Sequence, residues 1–311
     1  MIDLHGGLND LDAGVIRAVS DDAIRSDPLR ALRAVRQAAQ LGFTLASETE
    51  ALIRRDGVAL ANVSAERICD ELSKLLACAS SAPYLFELDR LGLLVTILPE
   101  LEPLRDLRQS PPHQHAVLQH SLETVAALEF LLGELGYTAA SREGTGNEPL
   151  GAGPELGSLL DYAGKIGEHL DAVVSDTRRR VVVLKMAALL HDVGKAGARS
   201  VDGDERIRFL GHEQAGSRVA GLSLQRLRFS SAEARLVETI VRCHMRPLTL
   251  ASQDRVSTRA LYRFFRDAGD AGVDVLLLSL ADHLATYAVP SGGSGWQPLV
   301  GSRWLVWSCG C

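Results

Sequence analysis

Little in this sequence is aromatic. Seven Phe, five Tyr and three Trp amount to 5% of 311 residues, while apolar residues as a whole reach 46%. A core with so few rings and so much Ala and Leu points to helices packed on helices. Cysteine is equally sparse: Cys69, Cys78, Cys243, Cys309 and Cys311, an odd number without zinc-finger spacing. That usage excludes a disulfide-built scaffold and fits a reduced, cytoplasmic setting. No signal peptide opens the chain, and no apolar run approaches the ~20 residues of a membrane span. Positive charge is not in excess. A net charge of −6 excludes a uniformly basic nucleic-acid coat and leaves room for a local basic groove. No self-similarity at solenoid periods is present.

What is there is a chain long enough for about two domains. Residues 1–24 contain IDLHGGLNDL, whose glycine pair and flanking aspartates read as a turn or hinge and not as a helix cap. From 25 to 110 the period is helical. Asp27 suits a cap and Pro28 a first helical position. Leu29, Leu32, Val35 and Ala39 recur at helical spacing, with Arg30, Arg33 and Arg36 on another face; such a stripe alone reads as a solvated basic face. Residues 47–55, 64–78 with Ser64 as cap, and 83–98 ended by Pro99 and Pro103 give further amphipathic helices.

Pro111–Pro112 mark a boundary. A long helix follows over about 115–135. Residues 136–158 lack an apolar period and read as a mobile insertion, bounded at about 178 by the next helical pattern. The expected architecture is all-α: a helical module at 25–110, a second helical domain at 111–290, and a tail at 291–311.

The stretch around which this domain is arranged is VVVLKMAALLHDVG, Val181–Gly194. A helix this apolar all round belongs in a core. His191 and Asp192 then arrive together at its end, and Gly194 is expected to stop it. A buried carboxylate needs a cationic partner, and a bound divalent metal ion meets that need with imidazole and carboxylate as ligands. Other polar residues share this placement. His120 lies on the face of Val117, Thr124 and Leu131. His212 opens a helix, and His244 shares a face with Val237, Ile240 and Val241. Asp282 shares one with Val275, Leu278 and Ala285. Any one such histidine is more often a hydrogen-bonded core residue. Six groups in one helical domain would each need a partner, and one metal cluster satisfies all of them. Without thiolate, the set suits Mn, Fe, Co, Ni, Zn or Mg and not a structural zinc knot.

The order His120, His191–Asp192, His212, His244, Asp282 resembles the HD superfamily of metal-dependent phosphohydrolases, and HDVGK at 191–195 matches its central motif. The resemblance implies His120, His191, Asp192 and Asp282 around one metal, with His212 and His244 holding a second metal or contacting phosphate. A metal-activated water would then attack a phosphoryl group, with His191 and Asp192 at the reacting centre. Lys195 and Arg246 are candidate phosphate clamps.

The first half carries another resemblance. Asp3-x-x-Gly6-Gly7-x-x-Asp10-Leu11 is similar to the hinge of bacterial CCA-adding tRNA nucleotidyltransferases and poly(A) polymerases. Asp27-Pro28-Leu29-Arg30, running on to Arg33, is similar to their base-selecting helix, with Ser26 where the family commonly has Glu. Val63-Ser64-x-Glu66-Arg67-Ile68 followed by Glu71-Leu72 resembles the next family helix. The resemblance implies a neck and body module contacting tRNA-like RNA and nucleotides through Asp27, Arg30 and Arg33. Many of these enzymes carry an HD domain downstream, so the two likenesses support each other. The family's nucleotidyl-transfer head, with its Gly-rich phosphate loop and metal-holding carboxylates, lies upstream of the hinge. Residues 1–24 therefore read as a hinge remnant, and autonomous nucleotidyl transfer is not expected. The expected function is hydrolysis of a nucleotide or RNA-end phosphate at the HD site. The alternatives are a CCA-adding enzyme that acts only with a head domain, and a non-catalytic RNA-binding module.

Overall fold

A computed structural model of the chain describes Asp3, residues 5–137, 162–175, 178–203, 207–253 and 255–287, and the backbone alone of 289–291 and 295–297. Helices dominate it. The first half runs Gly7–Ala13, Ala23–Ser26, Leu29–Leu41, Ser47–Asp56, Ala65–Leu76, Ala82–Arg90 and Leu93–Ile97. The principal helices of the second half are Val117–Glu134, Ala163–Asp171, Arg180–Leu190, His212–Arg226, Ser231–Cys243, Met245–Ala251, Thr258–Ala268 and Gly272–Tyr287. Among the described residues strands occur only in two-stranded pairs. No helix of the described residues is long and apolar enough to cross a membrane.

Arg180–Leu190 is the central helix. Every one of its residues is buried, as its unbroken apolar circumference requires. It packs against Val117–Glu134, Ser231–Cys243 and Gly272–Tyr287, and reaches Ala65–Leu76 of the first half. Buried apolar side chains of both halves form one continuous cluster. Pro111–Pro112, joined by a cis peptide bond, is therefore a bend between helices and not a gap in packing. Lys185, in the middle of the central helix, is buried. Its Nζ donates to Glu129 Oε1 at 2.7 Å and to the Cys78 carbonyl at 2.7 Å. Glu129 also accepts from the Ser81 and Ala82 backbone N–H groups. This ion pair ties the 78–82 turn to the core of the second half.

Several local expectations change in the structure. The helix expected over 83–98 is two helices, because Gly92 takes a left-handed φ of 76° between them. The insertion expected over 136–178 is in part regular. Ala163–Asp171 is a helix with Ile166 and Leu170 buried, followed by the pair Val173–Ser175 and Arg178–Arg179. Residues 138–161 and nearly all of the tail lie outside the described residues. Asp27 and Ser64 precede their helices without side-chain capping bonds, and Asp27 instead accepts from Arg67 at 3.1 Å. Asp3, by contrast, accepts from the backbone of Gly7 and Leu8 and so serves the start of the first helix. The central helix ends at Leu190, four residues before Gly194. Gly194 serves close approach: a Cβ there would sit 2.1 Å from the His212 carbonyl oxygen and 2.4 Å from Gly216 N.

Candidate metal centre

Five elements deliver the polar groups. Val117–Glu134 carries His120 on its buried face, and the turn after Arg180–Leu190 carries His191 and Asp192. His212 is the first residue of its helix, after Gly211 at a φ of 75°. His244 follows the last residue of Ser231–Cys243, and Gly272–Tyr287 carries Asp282. That placement of His244 follows from the capping box of Ser230 and Glu233, which fixes where its helix begins. All six side chains are buried, and they converge.

Asp192 stands at the middle. Its Oδ2 lies 3.2 Å from His191 Nε2 and 3.9 Å from His120 Nε2. Its Oδ1 lies 3.4 Å from His212 Nε2 and 3.9 Å from His244 Nε2. Asp282 Oδ1 is 2.9 Å from His120 Nε2 and 3.8 Å from His191 Nε2. Two triads, His120–His191–Asp192 and Asp192–His212–His244, thus each keep their ligand atoms within 4.8 Å of one another and share one carboxylate.

The histidine tautomers are fixed by the backbone. Nδ1 of His191, His212 and His244 faces the carbonyl three residues earlier, at 2.8, 2.8 and 2.6 Å. A carbonyl only accepts, so Nδ1 carries the proton and the Nε2 lone pair points inward. Such backbone bonds are what orient metal-ligating imidazoles. His191 Nε2 is buried without a hydrogen-bond partner, a costly arrangement unless it serves as an acceptor or ligand. A divalent cation fits this donor set.

The electrostatics of His244, Asp192 and Asp282 agree with that reading, while His191 without a cation leans toward its protonated form. Burial, reinforced by the charge of His191, pushes His244 down to about 4, so it is neutral and free to ligate at pH 7. Burial also works against the charge on Asp192, but His191 and Lys195 outweigh it and hold the carboxyl well below its ordinary value. Asp282 is likewise held low, by the hydrogen bond from His120 and the charge of His191 acting against burial. For His191 burial is outweighed by Asp192, and its pKa rises.

The remaining expected residues divide. Lys195 is at the centre: its Nζ donates to Asp192 Oδ2 at 2.6 Å and to Gln109 Oε1 at 2.7 Å. It already partners the buried carboxylate, in addition to facing the cavity. Arg246 is not brought there. It pairs with Asp267 at 3.1 Å in a neighbouring crevice, so its expected clamp role at this centre is corrected. Asp27, Arg30 and Arg33 lie in the first half, engaged within the chain. Arg30 donates to the Ala23 carbonyl at 3.1 Å, and Arg33 and Arg36 pair with the buried Glu71 at 3.1 and 2.6 Å. The arginine stripe is thus partly neutralised by a tertiary partner and is not a freely solvated face. His113 had been missed. Its ring stands edge-on to His120 at 4.9 Å, and burial pushes its pKa down to about 4. It lies on the irregular stretch before the Val117–Glu134 helix, where helical spacing gives no signal.

Asp192, His212 and Asp282 line one end of a cavity of about 680 Å³, with Gln109, His113, Lys195, Arg208 and Phe209 also on its wall. Buried ligands at the base, a cation beside them and an open mouth suit a small anionic substrate.

Comparison with known proteins supplies the family. Residues 158–287 match the HD domain, and residues 42–105 match the family described as "Probable RNA and SrmB-binding site of polymerase A". His120 lies before the matched HD stretch. An A-adding tRNA nucleotidyltransferase of Deinococcus radiodurans is 31% identical over 306 residues, 95% of this chain and 58% of the relative. A CC-adding tRNA nucleotidyltransferase of Thermus thermophilus is 34% identical over 292 residues, 92% of this chain and 56% of the relative. The chain therefore spans somewhat over half the length of these relatives. Among solved structures, the Thermotoga maritima CCA-adding enzyme complexed with tRNA aligns with 89% of this chain and 50% of that one, at a TM-score of 0.51 and 15% identity. A tRNA nucleotidyltransferase complexed with a primer tRNA and an ATP analog aligns with 90% and 60%, at a TM-score of 0.52 and 18% identity. These show a shared fold. By its helical architecture, its two family matches and its relatives, the chain belongs to the CCA-adding tRNA nucleotidyltransferase and poly(A) polymerase family and carries an HD domain.

Proposed function

We propose that the HD centre is a metal-dependent phosphohydrolase site acting on a phosphate of a nucleotide or RNA end. The observation that carries this is the sharing of Asp192 between two buried triads whose histidine Nε2 atoms all face it. His120, His191, Asp192 and Asp282 would hold one divalent cation, and His212 and His244 a second, or contact phosphate. A bound cation supplies a water made acidic enough to be a nucleophile near neutral pH, and charge to polarise a phosphoryl oxygen. The chain's own groups do the rest. The backbone carbonyls at 188, 209 and 241 hold the imidazoles in the ligating tautomer. Lys195 Nζ, fixed by Asp192 and Gln109, places positive charge where a substrate phosphoryl oxygen enters. Arg208, paired with Asp202 at 2.7 Å, also lines the cavity wall. The ion is of the first-row divalent or Mg class.

The test is turnover of a nucleoside monophosphate and of a cyclic nucleotide with Mn, Ni, Co, Zn or Mg. Activity should appear with added cation, vanish with EDTA and be lost in Asp192→Ala. Turnover that survives in Asp192→Ala, or none with any cation, refutes the assignment.

A second reading concerns the chain's context. Its likeness to an A-adding and a CC-adding enzyme over more than nine-tenths of its length supports a role of the first half in holding tRNA-like RNA and nucleotides during nucleotide addition. Asp27, Arg30 and Arg33 would be released from Arg67, Ala23 and Glu71 to do so. Division into 25–110 and 111–290 units is part of this reading. The free thiols of Cys69, Cys78 and Cys243 fit a cytoplasmic setting.

A further inference from the structure

The helix Thr258–Ala268 has a face that the preceding account does not use. Leu261, Phe264 and Ala268 turn toward the protein, with Phe264 and Ala268 buried. Arg259, Tyr262, Arg263 and Arg266 fall at i, i+3, i+4 and i+7, one stripe of a helix, and all four are exposed. Tyr262 is 67% exposed, and Phe265 beside it is also exposed. The exposed Tyr262 ring is flanked by arginines on both sides. Arg266 pairs with Asp267 at 2.7 Å. Arg259 and Arg263 have no carboxylate partner among the described residues.

The stripe adjoins the site already described. Asp267 on the same helix pairs with Arg246, whose guanidinium lies 5.6 Å from the Phe264 ring centroid. Arg246 lines a crevice with Glu213, Met245 and Thr249, and these three residues also line the main cavity. Through the Arg266–Asp267–Arg246 pairs, the stripe therefore adjoins a crevice that shares wall residues with the main cavity.

We propose that Arg259, Tyr262, Arg263 and Arg266 form a docking surface for single-stranded RNA, with Tyr262 as a stacking platform and the arginines on consecutive phosphates. This surface is separate from the 42–105 segment matched to an RNA-binding family. The chemistry selects a single strand. Stacking on an exposed ring needs an unpaired base, and every base has a face to offer. Arginine serves phosphate bidentately and can also stack. From Arg259 to Arg266 the helix rises about 10 Å, room for more than one phosphate. A membrane surface is the competing partner for a basic helix, but such helices present their apolar face outward. Here Phe264 and Ala268 are buried in the protein, and the two exposed rings, Tyr262 and Phe265, sit among Arg259, Arg263 and Arg266 and form no continuous apolar face.

The proposal does not depend on hydrolysis, so it is tested in EDTA with the full chain. A fluorescein-labelled single-stranded RNA of about ten nucleotides, unrelated to tRNA, is titrated by anisotropy between roughly 50 and 200 mM salt. The double variant Arg259→Ala/Arg263→Ala should weaken binding about tenfold or more at low salt. It should reduce the slope of log affinity against log salt by about 1.4, the value for two lost single-strand phosphate contacts. Tyr262→Ala should weaken binding roughly 5- to 100-fold with little change in slope, while Tyr262→Phe stays near wild type. Unchanged affinity and slope in the double variant overturns the proposal. So does loss of binding to phosphatidylglycerol vesicles with RNA binding intact. A variant-free check is photo-crosslinking of 5-iodouridine RNA to the wild-type chain. Crosslinks in the 258–268 peptide are expected, and crosslinks confined to 25–105 also overturn it.

Discussion

Replacing Gly194 by Ala probes how the triads are held together. The backbone at Gly194 is ordinary, with φ −72° and ψ −13°, so Ala meets no conformational penalty. Space is the obstacle. The added Cβ would lie 2.1 Å from the His212 carbonyl oxygen, 2.4 Å from Gly216 N and 2.8 Å from Gly216 Cα. All three are backbone atoms, so no rotamer change relieves the overlap. The helix His212–Arg226 must retreat by more than ~1 Å to restore van der Waals contact. Overpacking of this kind costs about 1–3 kcal/mol and occasionally more, and the absence of a flexible neighbour puts Gly194→Ala at about 3 kcal/mol or above.

The retreat also carries His212 away from Asp192 Oδ1, now 3.4 Å distant. A metal site tolerates displacements of only about 0.2 Å, so affinity at the Asp192–His212–His244 triad should fall sharply. Two controls give the sign. In Gly216→Ala the Cβ meets Gly194 N at 3.1 Å and a movable Val241 methyl at 3.4 Å; the cost should be smaller, below ~1.5 kcal/mol. In Gly133→Ala, inside Val117–Glu134 with no atom within 4 Å, the helix should gain about 0.5–1 kcal/mol. Urea unfolding and metal titration of the three variants read the series. If Gly194→Ala matches wild type within ~0.5 kcal/mol and binds metal as well, the close approach of the 191–194 turn to the 212–226 helix is wrong.

Other consequences are measurable. Lys185→Met leaves the Glu129 charge buried and should cost about 3 kcal/mol in urea melts, with Lys185→Met/Glu129→Gln less destabilised than the single variant. Metal-free protein should lose stability as pH falls from about 6.5 to 4, because His113 and His244 bind protons in the unfolded chain before the folded one. His191 acts in the opposite sense: its raised pKa contributes stability at low pH that is lost as pH rises through the folded value. The net fall, read in urea melts in EDTA at several pH values, reflects three imidazoles depressed by burial, His113, His244 and His283, against one raised; a rise in stability on acidification contradicts it. Incubation of this chain with tRNA lacking its 3′ end and labelled CTP or ATP should give no incorporation, and incorporation would show a nucleotidyl-transfer centre within these residues.

Much of the site was legible because helical period and burial are local properties of sequence. His120 with Val117, Thr124 and Leu131, and Asp282 with Val275, Leu278 and Ala285, were each placed on a face by spacing alone. Spacing does not say what a face meets. Arg33 and Arg36 read as solvated, yet Glu71 lies across the Ala65–Leu76 helix and pairs with both. Asp27 and Arg67, forty residues apart, are a pair of the same tertiary kind. His113 and Gln109 sit on the irregular 105–116 segment, which no period describes. That segment is pinned by long-range bonds such as Ser110 Oγ with the Ile207 N–H. The break at Gly92 was a single left-handed residue inside an otherwise helical pattern, and Gly194 looked like a helix stop when its role is to let two backbones touch.

The most direct measurement is elemental analysis of the chain purified without added metal, beside Asp192→Ala. Asp192 faces both triads, so wild type should carry one or two divalent ions per chain and the variant next to none. Equal metal content in the two proteins would contradict a centre built on that carboxylate.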